Sequence, residues 1–266
     1  MKSITFAISK GGVGKSLLTA NVGAALAKRG KRVVLVEGDP NRPLQSILRA
    51  ELGGKAIKLD DVVKRNLRVD DAVYSTYLEN LFLIPTGVPL ESYLEINPVL
   101  FAKKLLEVNA DFMFVDTPFP LGKAAFLSLG VCEYFIMILT EDEFNLCVEA
   151  ALDTIRLGRY LFKCVPLGFV LNRIKTPERF TEELINDIED LLRTPCIARI
   201  MEDSRVQKSY GGARSREAFL AYEEFKENGF KKGIDEIVSR LLGGLPEPEK
   251  KNIPDFLEEL VKSSRF

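Results

Sequence analysis

Eight consecutive residues, Ser9-Lys10-Gly11-Gly12-Val13-Gly14-Lys15-Ser16, restrict what this chain can become more than any other part of it. Before them, Ile4-Thr5-Phe6-Ala7-Ile8 is an apolar run of strand length. After them, Leu17 to Arg29 keeps apolar residues on one face at helical spacing until Gly30. The spacing predicts a strand, a glycine-rich loop and a helix in immediate succession. In such a loop glycines turn consecutive backbone N–H groups inward, and these, with the positive end of the helix, bind phosphate oxygens. Lys15 supplies a full charge, and the Ser16 hydroxyl is placed to ligate magnesium. Gly11, Gly12, Val13, Gly14, Lys15, Ser16 and Leu17 are therefore expected to form the phosphate side of a nucleotide site. Ser9 stands where the usual pattern has glycine, and Lys10 is an additional lysine at the start of the loop.

Apolar runs beginning at Ile4, Arg32, Leu81, Phe112, Tyr134, Leu167 and Ile197 alternate with longer amphipathic stretches. This alternation predicts an α/β fold, a mostly parallel twisted sheet with helices on both faces. The loop, Asp39 and Asp116 then all fall at carboxyl ends of strands, where such sheets hold their ligands. A chain of 266 residues with 46% hydrophobic content can bury one sizeable core. Residues 1–242 are expected to form that domain. Gly243-Gly244-Leu245-Pro246-Glu247-Pro248 reads as a linker, so 243–266 is expected to be a linker and a short terminal helix. No run approaches the roughly 18 apolar residues of a membrane span, and the first apolar stretch is too short for a signal sequence. A cytoplasmic protein is expected. The sequence has no histidine, which removes histidine bases and histidine metal sites. Cys132, Cys147, Cys164 and Cys196 show no closely paired spacing and read as buried thiols.

The stretch from Lys10 to Ser16 resembles the deviant Walker A motif of the MinD/ParA family of P-loop ATPases, whose wider relatives include the nitrogenase iron protein and metal-cluster carriers. Further segments agree. Arg32-Val33-Val34-Leu35-Val36 followed by Glu37-Gly38-Asp39-Pro40 resembles the family's Asp-x-Asp switch. There the second acid positions the attacking water and the first helps hold the magnesium shell. Asp39 matches the second, and Glu37 replaces the first with a longer arm. Asn80 to Gly87 is similar to the family's third strand with its Pro-x-Gly exit. Phe112 to Val115, running into Asp116-Thr117-Pro118-Phe119-Pro120-Leu121-Gly122, resembles Walker B and switch II, with Asp116 near magnesium. Pro166 to Arg173 resembles the strand that ends in the adenine-reading Asn172. A carboxamide matches the donor and acceptor of adenine, and the guanine-reading Asn-Lys-x-Asp pattern is missing, because Arg173, Ile174 and Lys175 follow. Thr194 to Ser204 resembles the strand and loop covering the base, with Met201 where the family commonly has proline and with Glu202 and Asp203 beside it. The likeness extends over about residues 1–242.

The resemblance implies an ATPase that uses ATP and magnesium and works as an ATP-dependent homodimer controlling a regulatory or cargo protein. Lys10 would act on the nucleotide of the partner subunit, so Lys10, Lys15 and Asp39 are the expected catalytic set. Asn172 and Arg173 would lie at the base, and Ser16 and Asp116 at the metal. Two alternatives remain at this stage: a metal-cluster carrier, for which Cys132 is the candidate, and an ATP-dependent small-molecule enzyme on the same core. The net charge of −1 argues against DNA binding. The best basic cluster, Arg205, Lys208, Arg214 and Arg216 with Lys226, Lys231 and Lys232, is interleaved with Glu217, Glu223, Glu224 and Glu227. In the terminal helix Ile253, Phe256, Leu257, Leu260 and Val261 share one face opposite Asp255, Glu258 and Glu259, with Lys262 and Arg265. Few basic residues flank that face, so docking on protein is expected over docking on lipid.

Overall fold

The computed structural model describes residues 1–39, 41–50, 52–85, 97–116, 124–210, 219–250 and 252–263. Its strands are β1 (Lys2–Phe6), β2 (Val33–Glu37), β3 (Tyr74–Ser75), β4 (Leu81–Pro85), β5 (Phe112–Val115), β6 (Tyr134–Thr140), β7 (Val165–Ile174) and β8 (Cys196–Met201). They form one sheet in the order β3-β4-β2-β5-β1-β6-β7-β8. Every pairing is parallel except that of β3 with β4. The seven expected strands are present, with ends displaced by one or two residues because backbone pairing, not side-chain apolarity, sets a strand's limits. β3 was not foreseen, since two residues carry no periodicity.

All residues of β2 and β6 are buried, as befits central parallel strands covered by helices on both faces. Helix α1 (Lys15–Ala27) follows the loop and lies deep in the core, where Gly23 permits close approach. A Cβ at Gly23 would stand 2.8 Å from Leu35 Cδ2. β1 occupies the middle of the sheet, flanked by β5 and β6, and the chain leaves it toward β2 on one side and later fills β6 on the other. The crevice opened by this reversal lies at the carboxyl end of β1, and the glycine loop sits in it.

The remaining α-helices among the described residues are α2 (Pro43–Ile47), α3 (Leu59–Arg65), α4 (Pro98–Leu106), α5 (Ala124–Leu127), α6 (Phe144–Ile155), α7 (Glu182–Leu192), α8 (Ser204–Tyr210), α9 (Ala221–Glu224), α10 (Gly229–Leu242) and α11 (Ile253–Ser263). β8 closes one edge of the sheet, and two of its backbone N–H groups end on side-chain carboxylates. Cys196 N donates to Glu189 Oε1 at 2.7 Å and Arg199 N to Glu236 Oε2 at 3.3 Å.

The stretch after α10 runs back over the body. Ile253 and Leu257 of α11 are buried, whereas Val261 is 43% exposed. The helix packs on α4, and Leu257 lies against Gly130. Lys250 is buried, with its three ammonium protons directed at Leu129 O (2.6 Å), Gly130 O (2.9 Å) and Cys132 O (2.6 Å). Three donors meet three acceptors. Burial pushes the Lys250 ammonium below the usual lysine range, with the neighbouring thiols Cys164 and Cys132 opposing that shift. Lys250→Met would leave these carbonyls buried without their donor, at a cost of about 3 kcal/mol. The melting temperature should fall by roughly 6–12 °C for a domain of this size. An unchanged melting temperature in a thermal scan would show that Lys250 does not fasten the C-terminal stretch. Among the described residues no helix is long and apolar enough to cross a membrane.

Candidate functional site

Backbone angles explain the composition of the loop between β1 and α1. Gly12 (φ 72°) and Gly14 (φ 102°) are left-handed, a region that excludes most side chains. At Gly14 a Cβ would also lie 2.9 Å from Asn172 Nδ2, so glycine is required there twice over. Ser9 is not left-handed, and its N–H donates to Thr154 Oγ1 on α6 at 3.1 Å. The loop therefore needs no glycine at its first position.

The two lysines face different surroundings. Lys15 is 8% exposed, and its Nζ donates to Lys10 O at 2.9 Å. Burial lowers its ammonium from the usual lysine range, opposed by the charges of Asp116 and Asp39. Lys10 extends the other way and donates to the Glu143 carboxylate at the start of α6, which holds its ammonium above the usual range.

Asp39 follows β2, with Oδ1 accepting from Asn41 N at 2.8 Å. Asp116 follows β5, is 1% exposed, and donates its N–H to Val36 O at 3.0 Å. Glu37, the last residue of β2, is equally buried, and its oxygens accept from Leu44 N (3.2 Å) and Gln45 N (2.8 Å). Burial, and then the charge of Asp116, push its carboxyl well above the usual carboxylate range. Pro40, Thr86-Gly87, Thr117 to Gly122, Arg214, Arg216, Glu217 and Arg265 lie outside the described residues.

A cavity of about 400 Å³ gathers most of the expected residues. Its wall takes Gly11, Gly12, Gly14, Lys15, Ser16 and Leu17 from the loop and α1, Asp39 from the end of β2, and Asn172 and Arg173 from β7. Opposite them stand Ile200, Met201, Glu202 and Asp203, joined by Val206 and Gln207 of α8 and Phe230 of α10. Among the described residues, Val13, Lys10 and Asp116 do not line it. The Val13 side chain is in the core, and its carbonyl accepts from Asn172 Nδ2 at 2.9 Å, so the carboxamide also braces the loop. Arg173, itself left-handed (φ 59°), reaches Gly12 O at 3.5 Å, Asp142 at 3.3 Å and Glu202 at 3.5 Å. Gln207 Nε2 donates to Glu202 Oε1 at 2.7 Å. The sequence reading missed Val206, Gln207 and Phe230. Phe230 arrives only because α10 packs on β8, where a Cβ at Gly233 would stand 2.4 Å from Ile200 Cγ1.

Within the basic cluster, Arg205 is occupied by Asp203 at 2.6 Å and Lys231 lies over the Tyr222 ring. Cys132, Cys147 and Cys164 are buried and Cys196 is partly so. Burial pushes the Cys132 thiol well up and that of Cys164 to about 12, far from thiolate chemistry at neutral pH.

Residues 4–214 match the family model of the CobQ/CobB/MinD/ParA nucleotide binding domain. An uncharacterised ATP-binding protein of Methanocaldococcus jannaschii is 34% identical over 267 residues, spanning 99% of this chain and 97% of its own. The cell division ATPase MinD of Pyrococcus furiosus has a TM-score of 0.74 and 25% identity, covering 91% of this chain and 98% of that one. The septum site-determining protein MinD of Pyrococcus horikoshii OT3, solved with Mg-ADP, gives 0.72 and 25%, covering 91% and 97%. Sheet order, loop geometry and the extent of these matches agree that the chain belongs to the CobQ/CobB/MinD/ParA nucleotide-binding family and has the fold of its MinD/ParA ATPases.

Proposed function

We propose that this chain is an ATP-hydrolysing dimerisation switch of MinD/ParA type, acting in the cytoplasm to position a partner protein. The observation that carries this reading is the single cavity that joins the lysine-bearing loop, Asp39 and the Asn172–Arg173 corner. ATP would lie with its phosphates on the loop amides and Lys15, and its base between Asn172 and the β8–α8 turn. Asp39 would orient the attacking water. Lys10, turned away from its own cavity, would serve the nucleotide of a second copy.

The residues present fit magnesium. The Ser16 hydroxyl and the buried Asp116 carboxylate are hard oxygen donors of the kind that hold this ion with waters and phosphate oxygens. Bound there, magnesium would neutralise charge on the terminal phosphates. That the Pyrococcus horikoshii relative was solved with Mg-ADP supports magnesium as the cation at this nucleotide site. The metal-carrier alternative is weakened because Cys132 is wholly buried. The seating of α11 on the body favours protein over lipid as its docking surface.

Light scattering should show a dimer with ATP and magnesium and a monomer with ADP. Turnover should rise with protein concentration and should not respond to long duplex DNA or to anionic vesicles at physiological salt. A monomer under every nucleotide condition would overturn the switch. A salt-sensitive, ATP-dependent DNA shift would overturn the partner assignment, and stoichiometric iron or nickel in the purified protein would favour the carrier.

A further inference from the structure

Helix α2 begins in an unusual way. Arg42, at its N-cap, is left-handed (φ 57°) and makes no side-chain capping bond. Pro43, the first helical residue, has no N–H to satisfy. Ser46 N is already paired with Arg42 O at 3.3 Å. The first turn thus leaves two backbone donors, Leu44 N and Gln45 N, and unpaired donors at a buried helix start are costly. One carboxylate takes both, one on each oxygen, and it belongs to Glu37 at the end of β2.

This pairing closes a ring. The chain leaves β2 at Glu37, passes through Asp39, and enters α2, where it is fastened back to Glu37. Inside the ring, Asp39 Oδ1 accepts from Asn41 N at 2.8 Å and Asp39 O from Arg42 N at 2.9 Å. The turn that presents Asp39 to the cavity is therefore anchored at entry and exit to a strand buried along its whole length. An aspartate at position 37 would be one methylene shorter and would fall short of the two amides. The longer arm of glutamate, a departure from the family's Asp-x-Asp, has a local structural use.

We propose that Glu37 is a positioning residue that holds the Asp39 turn by capping α2, and that it is not a member of the magnesium shell. The assignment rests on the role given to Asp39 under the proposed function, and its test is read first on the protein free of nucleotide. Hydrogen exchange at Leu44 and Gln45 should be slow in the parent chain. It should accelerate by about tenfold or more in Glu37→Asp, as expected for the loss of a capping hydrogen bond worth about 1.4 kcal/mol. Glu37→Gln keeps the volume and one acceptor, so it should release one of the two amides and remain folded if Glu37→Asp does not. In both variants the magnesium concentration that half-saturates ADP retention should stay unchanged, while kcat falls with KM for ATP preserved. Unchanged exchange at Leu44 and Gln45 in both variants would overturn the proposal. So would a raised magnesium requirement with exchange unaltered, which would return Glu37 to the metal shell. A parent chain that failed to hydrolyse ATP would overturn the switch, and the exchange result would still decide the capping role.

Discussion

Lys10→Ala should bind ADP as tightly as the parent chain, remain monomeric with ATP and magnesium, and lose roughly 10³- to 10⁵-fold in turnover, the span contributed by a cation supplied in trans to a transferring phosphoryl group. The geometry gives the reason for the split. The Lys10 ammonium lies on Glu143, outside the wall of its own cavity, so its removal takes nothing from the nucleotide bound by the same subunit. Asp39→Ala should have the opposite signature. It removes the carboxylate that faces the cavity and leaves both lysines in place, so dimers should form with ATP and persist because the water is no longer oriented. Light scattering with ATP, followed over hours, separates the two variants. If Lys10→Ala dimerises like the parent, or Asp39→Ala stays monomeric at high concentration, an ATP-dependent dimer in which Lys10 acts on the nucleotide of a second copy is wrong for this chain.

Lys15→Ala should fail one step earlier. Lys15 lies in the cavity wall, nearly buried, with its Nζ resting on the carbonyl of Lys10 and its charge supported by Asp116 and Asp39. A phosphate would replace that carbonyl as its partner. Loss of a charge-assisted contact of this kind should weaken ADP and ATP by roughly 10- to 100-fold, and dimerisation should disappear with binding. Calorimetric titration of ADP into the variant measures this directly. An affinity equal to that of the parent chain would place the phosphates elsewhere.

The parts of this molecule that sequence makes legible are those whose chemistry is local. Gly12 and Gly14 announce left-handed turns, Lys15 and Ser16 open a helix directly behind them, and the apolar runs of β2, β5 and β6 are buried along their whole length as their composition requires. What escaped is what tertiary packing creates. Phe230 reaches the cavity because two glycines bring α10 close to β8, and no periodicity marks it. Asn172 could be picked out by its motif, but its bond to Val13 O requires knowing that the end of β7 crosses the loop. Glu37 shows the same limit from the other side. Its identity stands out in the sequence as a substitution in a metal motif, whereas its two partners lie on a short helix that begins at a proline. Lys250 gave no signal at all, because a lysine in a polar linker has no feature that foretells three buried carbonyls.

The carboxylates of α7 and α10 that take two amides of β8 bear on how copies of this protein can meet. A parallel sheet ends in strands whose outward amides can recruit a further strand, and such pairing has no natural stopping point. Here Glu189 and Glu236 occupy the amides of Cys196 and Arg199, and the opposite border is only the two residues of β3. An incoming strand would have to displace carboxylates that are already bonded, and on the far side it would meet a border strand of only two residues. Growth of a continuous sheet across copies is thereby discouraged at the β8 border, where the outward amides are already taken, and gains little from the two residues of β3.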